Sequence, residues 1–420
     1  MNYETLCSFD TLWYAYLRAR RCKRSKKGTA AFEYSAIEEL LILSKSLLQG
    51  KYQPDPLDAF LIYEPKKRLI QAPTFRDKVV QHALTDFAVY LELRRSLTLN
   101  TYAAQYGKGT HFGLSMLEQH MRTHFLRRKG ADEAARKAAG LPHRPMEEWD
   151  YAGGAVIKGD IRHFFQSIDH DRLKAALAAR FQDERLLGLM WKYIDAVEGL
   201  ALGHQTSHIY AVFFVHSIMH YVAERLHLPL AGMYMDDWYV ICPDMGTARS
   251  ALALIRAQFT KLGLELNQKT NIFPLQNGID FCGFHVYLTH TGKVIKKLRY
   301  SSIKRMKRRI RNWEKEYAAG EISREKIEES FRSWEAHAKH GDTGTLRHNM
   351  RARLDAALAR AEPLRAALNL QAPDPGKIYP QGVCGIRKAA KPPTAAQERR
   401  SKRYGTVTFQ SCQRQPGQTE

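Results

Sequence analysis

Two adjacent carboxylates, Asp236 and Asp237, stand in an apolar and aromatic run, Met233-Tyr234-Met235-Asp236-Asp237-Trp238-Tyr239-Val240. The pattern predicts a strand, a tight turn carrying the aspartates, and a second strand. Desolvated carboxylates without partners are costly, so a pair at the tip of an apolar hairpin asks for a cation. Side chains alternate along a strand, so the two cannot both face one point well. Asp236 is therefore expected as the main ligand and Asp237 as the secondary one. For the dipeptide alone, a solvated Asp-Asp turn is the commoner explanation.

A third aspartate closes a short apolar strand, Ala155-Val156-Ile157-Lys158-Gly159-Asp160. Taken by itself, Asp160 reads equally well as a strand-end turn residue. Asp169-His170-Asp171 follows and predicts a helix cap ahead of Arg172. If the two strands are neighbours in one sheet, Asp160 meets Asp236 and the pair holds two divalent ions. Nucleotidyl transfer needs that arrangement: one ion activates a 3′-hydroxyl and the other holds the leaving pyrophosphate. Magnesium suits oxygen ligands completed by substrate phosphates.

The remaining elements must carry these groups. Apolar periodicity over Phe32 to Leu48 predicts helices up to about residue 50, ended by Gly50 and Pro54-Asp55-Pro56. Arg18 to Lys27 is either a solvated charged face or a phosphate contact. Phe60 to Pro73 predicts a hairpin on which Lys66 and Arg68 project from one side. That pair suits a triphosphate or a nucleic-acid backbone, or is simply a charged tip. Phe75 to Leu91 is a helix with Arg76, Asp77 and Lys78 in its first turn. In Tyr106-Gly107-Lys108-Gly109-Thr110-His111, Lys108 can meet a phosphate, although the spacing is not that of a Walker loop.

Arg122 to Asp150 predicts a helix and an exposed insertion, broken by Gly140, Pro142 and Pro145. Gly199 to His208 is a polar loop opening an aromatic helix. Its Ser207 either packs near a template base or caps that helix. His216 and His220, four apart, lack a third ligand and read as ordinary histidines. Leu264 to Ile272 predicts a strand and turn, and Phe281 to Tyr287 a further strand with Gly283 allowing close approach.

Composition bounds the partners. The chain has 420 residues, 44% of them hydrophobic, so a sizeable core can form. A formal net charge of +22 points to a polyanion, nucleic acid before a membrane surface. No run of about eighteen apolar residues occurs and the N-terminus lacks a secretory pattern, so no membrane association is expected. Cys7, Cys22, Cys242, Cys282, Cys384 and Cys412 have no paired spacing, which fits free thiols in a cytoplasmic protein. From Lys293 a dense basic belt, including Lys296, Lys297, Arg299, Lys304, Arg305 and Arg309, introduces helices to about Leu368. From Gln371 the composition predicts an extended or disordered tail.

The order of these stretches resembles that of prokaryotic reverse transcriptases, the group holding group II intron, retron and diversity-generating retroelement enzymes. Tyr234-Met235-Asp236-Asp237 looks like the palm motif, and Lys158 to Ile168 like the first aspartate motif. Leu202 to His208 resembles the Leu-Gly-x-x-x-Ser-Gln loop of the diversity-generating type. His208 departs from its Gln or Pro, which leaves room for a related phage-defence enzyme. Phe281, Cys282, Gly283 and Phe284 are similar to the primer grip. Phe60 to Leu84 and Ser333 to His340 are most like the diversity-generating type.

The resemblance implies roles residue by residue. Asp160, Asp236 and Asp237 bind two Mg2+ ions, with Mn2+ as the substitute, helped by the Ile161 carbonyl. Lys66 and Arg68 grip the triphosphate. Phe165 is the steric gate that excludes a ribose 2′-hydroxyl. Gly203, Gln205 and Ser207 border nucleotide and template, and Lys269 sits where a lysine protonates pyrophosphate.

The expected fold is α+β, a right-hand polymerase. Residues 1–55 form a helical extension, 56–155 the fingers with an insertion near 126–150, and 156–290 an antiparallel palm. Residues 291–370 form a basic helical thumb and 371–420 a tail. The expected reaction is RNA-directed DNA synthesis, in a bacterial retroelement or antiviral defence system. The partners implied are template RNA, the RNA–DNA hybrid and deoxynucleotides, with a non-coding RNA and an accessory protein as further candidates. Template-independent or protein-primed synthesis, and a catalytically dormant binding scaffold, are the alternatives.

Overall fold

The computed structural model describes residues 2–63 and 68–370. Lys66 and the tail 371–420, with Cys384 and Cys412, lie outside the described residues. The chain divides into two compact units, residues 1–365 and 366–420. All the described strands belong to the first unit. In the second, the described residues 366–370 are helical.

The chain begins with four helices, Tyr3–Leu6, Phe9–Ala19, Lys27–Tyr34 and Ala36–Leu48. Ser8 caps the second by accepting from the Thr11 N–H, a standard fix for an orphan helix donor. Tyr16 and Phe32 pack edge-on against Phe75 of the helix Phe75–Ala83. Leu12 and Leu40 share one contiguous core with Phe213 and Trp238 further along the chain. The N-terminal helices are thus built into the body of the protein.

Strands β1 (Asp58–Ile62) and β2 (Arg68–Ala72) pair antiparallel, with Ile62 opposite Arg68. The helix Thr110–Ala138 follows and runs 29 residues. It carries residues 126–138, the start of the expected insertion. The remainder returns to it, because Arg144 grips Asp132 through two hydrogen bonds and Tyr151 donates to the same carboxylate at 2.6 Å.

The central sheet has four antiparallel strands, β3 (Ala155–Asp160), β4 (Ala231–Tyr234), β5 (Asp237–Cys242) and β6 (Asn271–Pro274). Their order is β4-β5-β3-β6. Alternation splits their side chains between two cores. Ile157, Trp238 and Val240 face the larger core, and Val156, Tyr239 and Ile241 the other. Gly159 allows this closeness: a Cβ there would stand 2.1 Å from the Trp238 ring.

A third antiparallel sheet joins β7 (Ile279–Phe281), β8 (Phe284–Leu288) and β9 (Val294–Leu298). Two expectations are corrected here. Phe281 to Tyr287 is not one strand. Cys282 (φ 47°) and Gly283 (φ 89°) form a two-residue turn that pairs Phe281 with Phe284. Residues 294–298 belong to this sheet rather than to a helical domain starting at 291. Lys296 and Lys297 disguised the strand, since only one of its faces is buried. Beyond it, the helices Tyr300–Ala318, Arg324–Ala338 and Gly344–Leu370 enclose a separate small core around Met306, Trp313, Phe331 and Leu354.

Candidate active site

The turn between β4 and β5 has two residues, Met235 and Asp236, closed by the pair Tyr234–Asp237. Met235 sits at φ 54°, a left-handed conformation that costs a long side chain about 1–3 kcal/mol. The strain leaves Asp236 at the tip, and Asp237 becomes the first residue of β5. Asp160, the last residue of β3, pairs across the ladder with Asp237.

The backbone around Asp160 is fixed from both sides. The Ile161 N–H donates to the Asp236 carbonyl at 3.1 Å, and the Asn267 N–H to the Asp160 carbonyl at 2.8 Å. Arg162 donates to the Glu265 carbonyl at 2.9 Å. Ile161 and Leu266 therefore form an antiparallel bridge of the kind whose own polar groups point outward. The Ile161 carbonyl lies on the same edge as its N–H, the edge facing the Asp236 turn.

Asp160 and Asp236 face each other. Burial, then the neighbouring Asp160 carboxylate, raises Asp236 above the usual carboxylate range, and Arg68 pulls it back. A desolvated pair of like charges is what a divalent cation would relieve. The described residues hold no cluster of three or more His, Cys, Asp or Glu able to enclose an ion alone. Two carboxylates and one carbonyl fit magnesium, which keeps open positions for water and phosphate.

These groups open into a cleft of about 1200 Å³. Arg68, Gln71, Asp160, Ile161, Phe165, Leu202, His208 and Asp236 line it. Phe165 is half-buried there, its ring edge-on to His208 at 5.7 Å. The hairpin roofs the cleft through the Gln71 N–H, which donates to the Leu202 carbonyl at 3.2 Å. Gly203 makes that approach possible, since a Cβ there would stand 2.5 Å from the Gln71 carbonyl oxygen. Buried Gln81 accepts from the Gln205 N–H at 2.7 Å and fixes the loop from behind.

Other expected residues stand elsewhere. Ser207 is neither a cap nor part of the cleft wall. The helix Gln205–Phe214 begins two residues earlier, and Ser207 is 2% exposed within its first turn. The Gln205 side chain is exposed, as is Lys269, which lies on the turn before β6. Phe281 and Phe284 are buried, so the tip of their hairpin is Cys282 and Gly283. Lys108 donates to the carbonyls of Thr98, Leu99 and Thr101, which makes it a loop clamp in place of the expected phosphate contact. His216 bonds the Phe213 carbonyl, and His220 bonds Glu224 and the Ser96 carbonyl.

Lys158 was missed as a site residue. It shares the sheet face of Asp160 and Asp237, and its ammonium ion-pairs with Asp237. It also donates to the Trp238 carbonyl at 3.3 Å and lies over the Phe281 ring at 5.4 Å. Burial lowers its pKa to about 8, against the upward pull of the nearby carboxylates. The signal was present in the sequence: a lysine in an apolar strand, one side-chain period before Asp160.

Several known proteins are similar to this chain. Protein YkfC of Escherichia coli (strain K12) is 27% identical over 217 residues, 48% of this chain and 49% of that protein. The chain thus spans about half the length of this curated relative. Two solved telomerases are similar at 13% identity. Apo telomerase from Candida Tropicalis, truncated from its C-terminal domain, gives a TM-score of 0.38 over 60% of this chain and 59% of its own. Telomerase from Candida albicans in complex with a fragment of telomeric RNA gives 0.40 over 78% and 56%. Residues 64–286, more than half of the chain, match the model of one family and span β2, the aspartate strands and β7. The chain belongs to the reverse transcriptase (RNA-dependent DNA polymerase) family.

Proposed function

We propose that this chain is an RNA-directed DNA polymerase that extends a 3′-hydroxyl with deoxynucleotides on an RNA template. The observation that carries this is the pair Asp160 and Asp236, face to face at a cleft roofed by Arg68 and walled by Phe165. Bound Mg2+ would supply Lewis-acid activation of the attacking hydroxyl and charge neutralisation at the pyrophosphate. Asp160, Asp236, Asp237 and the Ile161 carbonyl would hold the two ions. Arg68, with Lys66, orients the triphosphate, and Lys269 lies near enough in sequence to the cleft residues Asn267 and Gln268 to approach the leaving group.

The basic helix Tyr300–Ala318 turns Met306, Ile310, Trp313 and Tyr317 inward and exposes Lys304, Arg305, Lys307 and Arg309. Such a face grips a hybrid by its backbone rather than by its bases. This suits an enzyme that copies varied RNA, in a bacterial retroelement of the diversity-generating type or a related antiviral defence system. The test is extension of a DNA primer on an RNA template with Mg2+. Incorporation that ends on chelation is expected, and no incorporation on any primed RNA would remove the reading.

Phe165 acts as the sugar gate in this reading. Phe165→Ala should raise the relative use of ribonucleotides by about 10- to 100-fold, the discrimination a shaped pocket wall gives. Competition between a ribonucleotide and its deoxy form measures it. An unchanged ratio would assign the gate to another residue.

A further inference from the structure

We propose that the outer face of the helix Ala36–Leu48 docks a second copy of this chain, with the two helices antiparallel about a twofold axis near Ile42.

The helix is apolar on both sides. Ala36, Leu40, Leu43 and Leu47 are buried in the core of the protein. The opposite side of a surface helix is ordinarily polar. Here it carries Ile37, Leu41, Ile42 and Leu48, each 43–61% exposed. Tyr34, 96% exposed, ends the preceding helix. No described residue covers this face, and none of its side chains lines the cleft. A contiguous apolar surface of this kind marks a site of association.

The pattern of the face chooses the occupant. Ile37, Leu41 and Leu48 keep the spacing of a coiled-coil seam, with the small Ser44 at the remaining position. Glu38 and Lys45, one heptad apart, flank the seam on the same side and are exposed. Neither side chain has an ion pair among the described residues. Antiparallel pairing sets Ile37 of each copy against Leu48 of the other and brings Glu38 of each toward Lys45 of the other. Each contact then forms twice, as a twofold interface requires. Charges at such flanking positions set partner and orientation. Glu38 lies in the first turn and Lys45 in the last, so the pairing also joins opposite ends of the two helix dipoles.

The face belongs to one helix of 13 residues, about 20 Å long. It falls short of the roughly 800 Å² per partner of a standard interface, so a Kd on the order of micromolar is expected. Two bodies of net charge +22 repel each other. Added salt should therefore tighten this dimer, whereas it loosens a pair bridged by bound nucleic acid.

Sedimentation velocity of the nuclease-treated full chain, from about 1 to 100 µM, tests this. A reversible monomer–dimer equilibrium is expected, tighter at high salt. At moderate salt Leu41→Glu should weaken it more than about 10-fold. Glu38→Lys and Lys45→Glu should each weaken it about 3- to 10-fold, and the double variant Glu38→Lys/Lys45→Glu, which exchanges the charges, should restore it. Thermal melts identify any variant that fails to fold, and the charge exchange then decides. A chain that stays monomeric at every concentration would overturn the proposal, leaving its own tail or another protein as the occupant. So would a dimer that disappears on nuclease treatment, or a double variant weaker than either single one.

Discussion

Asp236→Asn should abolish RNA-templated extension and at the same time raise the melting temperature of the metal-free protein. The first effect follows from charge. Removing one of two facing carboxylates withdraws several kcal/mol of support from the ions, a loss on the order of a thousandfold in rate. The second follows from linkage. Burial and Asp160 raise Asp236 above its ordinary range, so its folded-state pKa exceeds that of the unfolded chain. The folded protein then holds this proton more tightly. Its ionisation penalty is absent below the unfolded pKa, grows as pH rises, and is full above the raised value.

At neutral pH the amide therefore relieves a penalty, and its advantage shrinks as pH falls through the carboxylate range. Mg2+ should reverse the order by stabilising the wild type alone, because a ligand stabilises the state that binds it. Melts in chelator and in Mg2+, beside primer extension, check both halves. A variant that melts lower in chelator while still extending would contradict the facing-carboxylate account.

The largest effect on stability is expected from Asp77→Ala. Asp77 is 0% exposed and accepts from the Tyr52 hydroxyl at 2.5 Å and the Asp55 N–H at 2.8 Å. Tyr52 also meets the Tyr193 hydroxyl at 2.6 Å, and Arg76 lies 3.6 Å from the carboxylate. One acceptor thus joins the link before β1, the helix Phe75–Ala83 and the helix Glu184–Ile194. Alanine leaves one buried donor, one half-buried donor and a guanidinium without it, at a cost of about 3–5 kcal/mol. For a body of this size the melting temperature should drop by about 4–7 °C. Asp77→Asn keeps an acceptor oxygen and should lose distinctly less. Equal losses for Ala and Asn, measured by denaturant titration, would assign the effect to charge rather than to the acceptor.

The sequence was most legible where a local pattern has one physical solution. Asp236 and Asp237 between apolar strands demand a turn, and Asp169 before a helix demands a cap, which it forms by accepting from the Arg172 N–H at 2.8 Å. Reading failed where the deciding partner is remote. Asp77 looked like a first-turn helix residue, and its burial depends on Tyr193, far along the chain. Ser207 looked like a cap, and tertiary packing started its helix earlier. The Phe281–Phe284 turn stayed hidden because a cysteine at positive φ carries no signature of its own, leaving Gly283 as a lone and ambiguous signal. Lys158 escaped because a strand lysine usually faces solvent, and this one faces the next strand's acid.

The hydrogen bonds that fix Asp160 and Ile161 come from the 236 turn and from residues 265–267. No two of these three segments are close in the chain, so the centre has no local precursor. Closing such long loops is slow and must precede any stabilising contact. During synthesis, the aspartates leave the ribosome well before the segment that secures them. A nascent chain halted ahead of Leu266 would display the acidic motif without a working geometry. The geometry of the aspartates thus waits on residues 265–267.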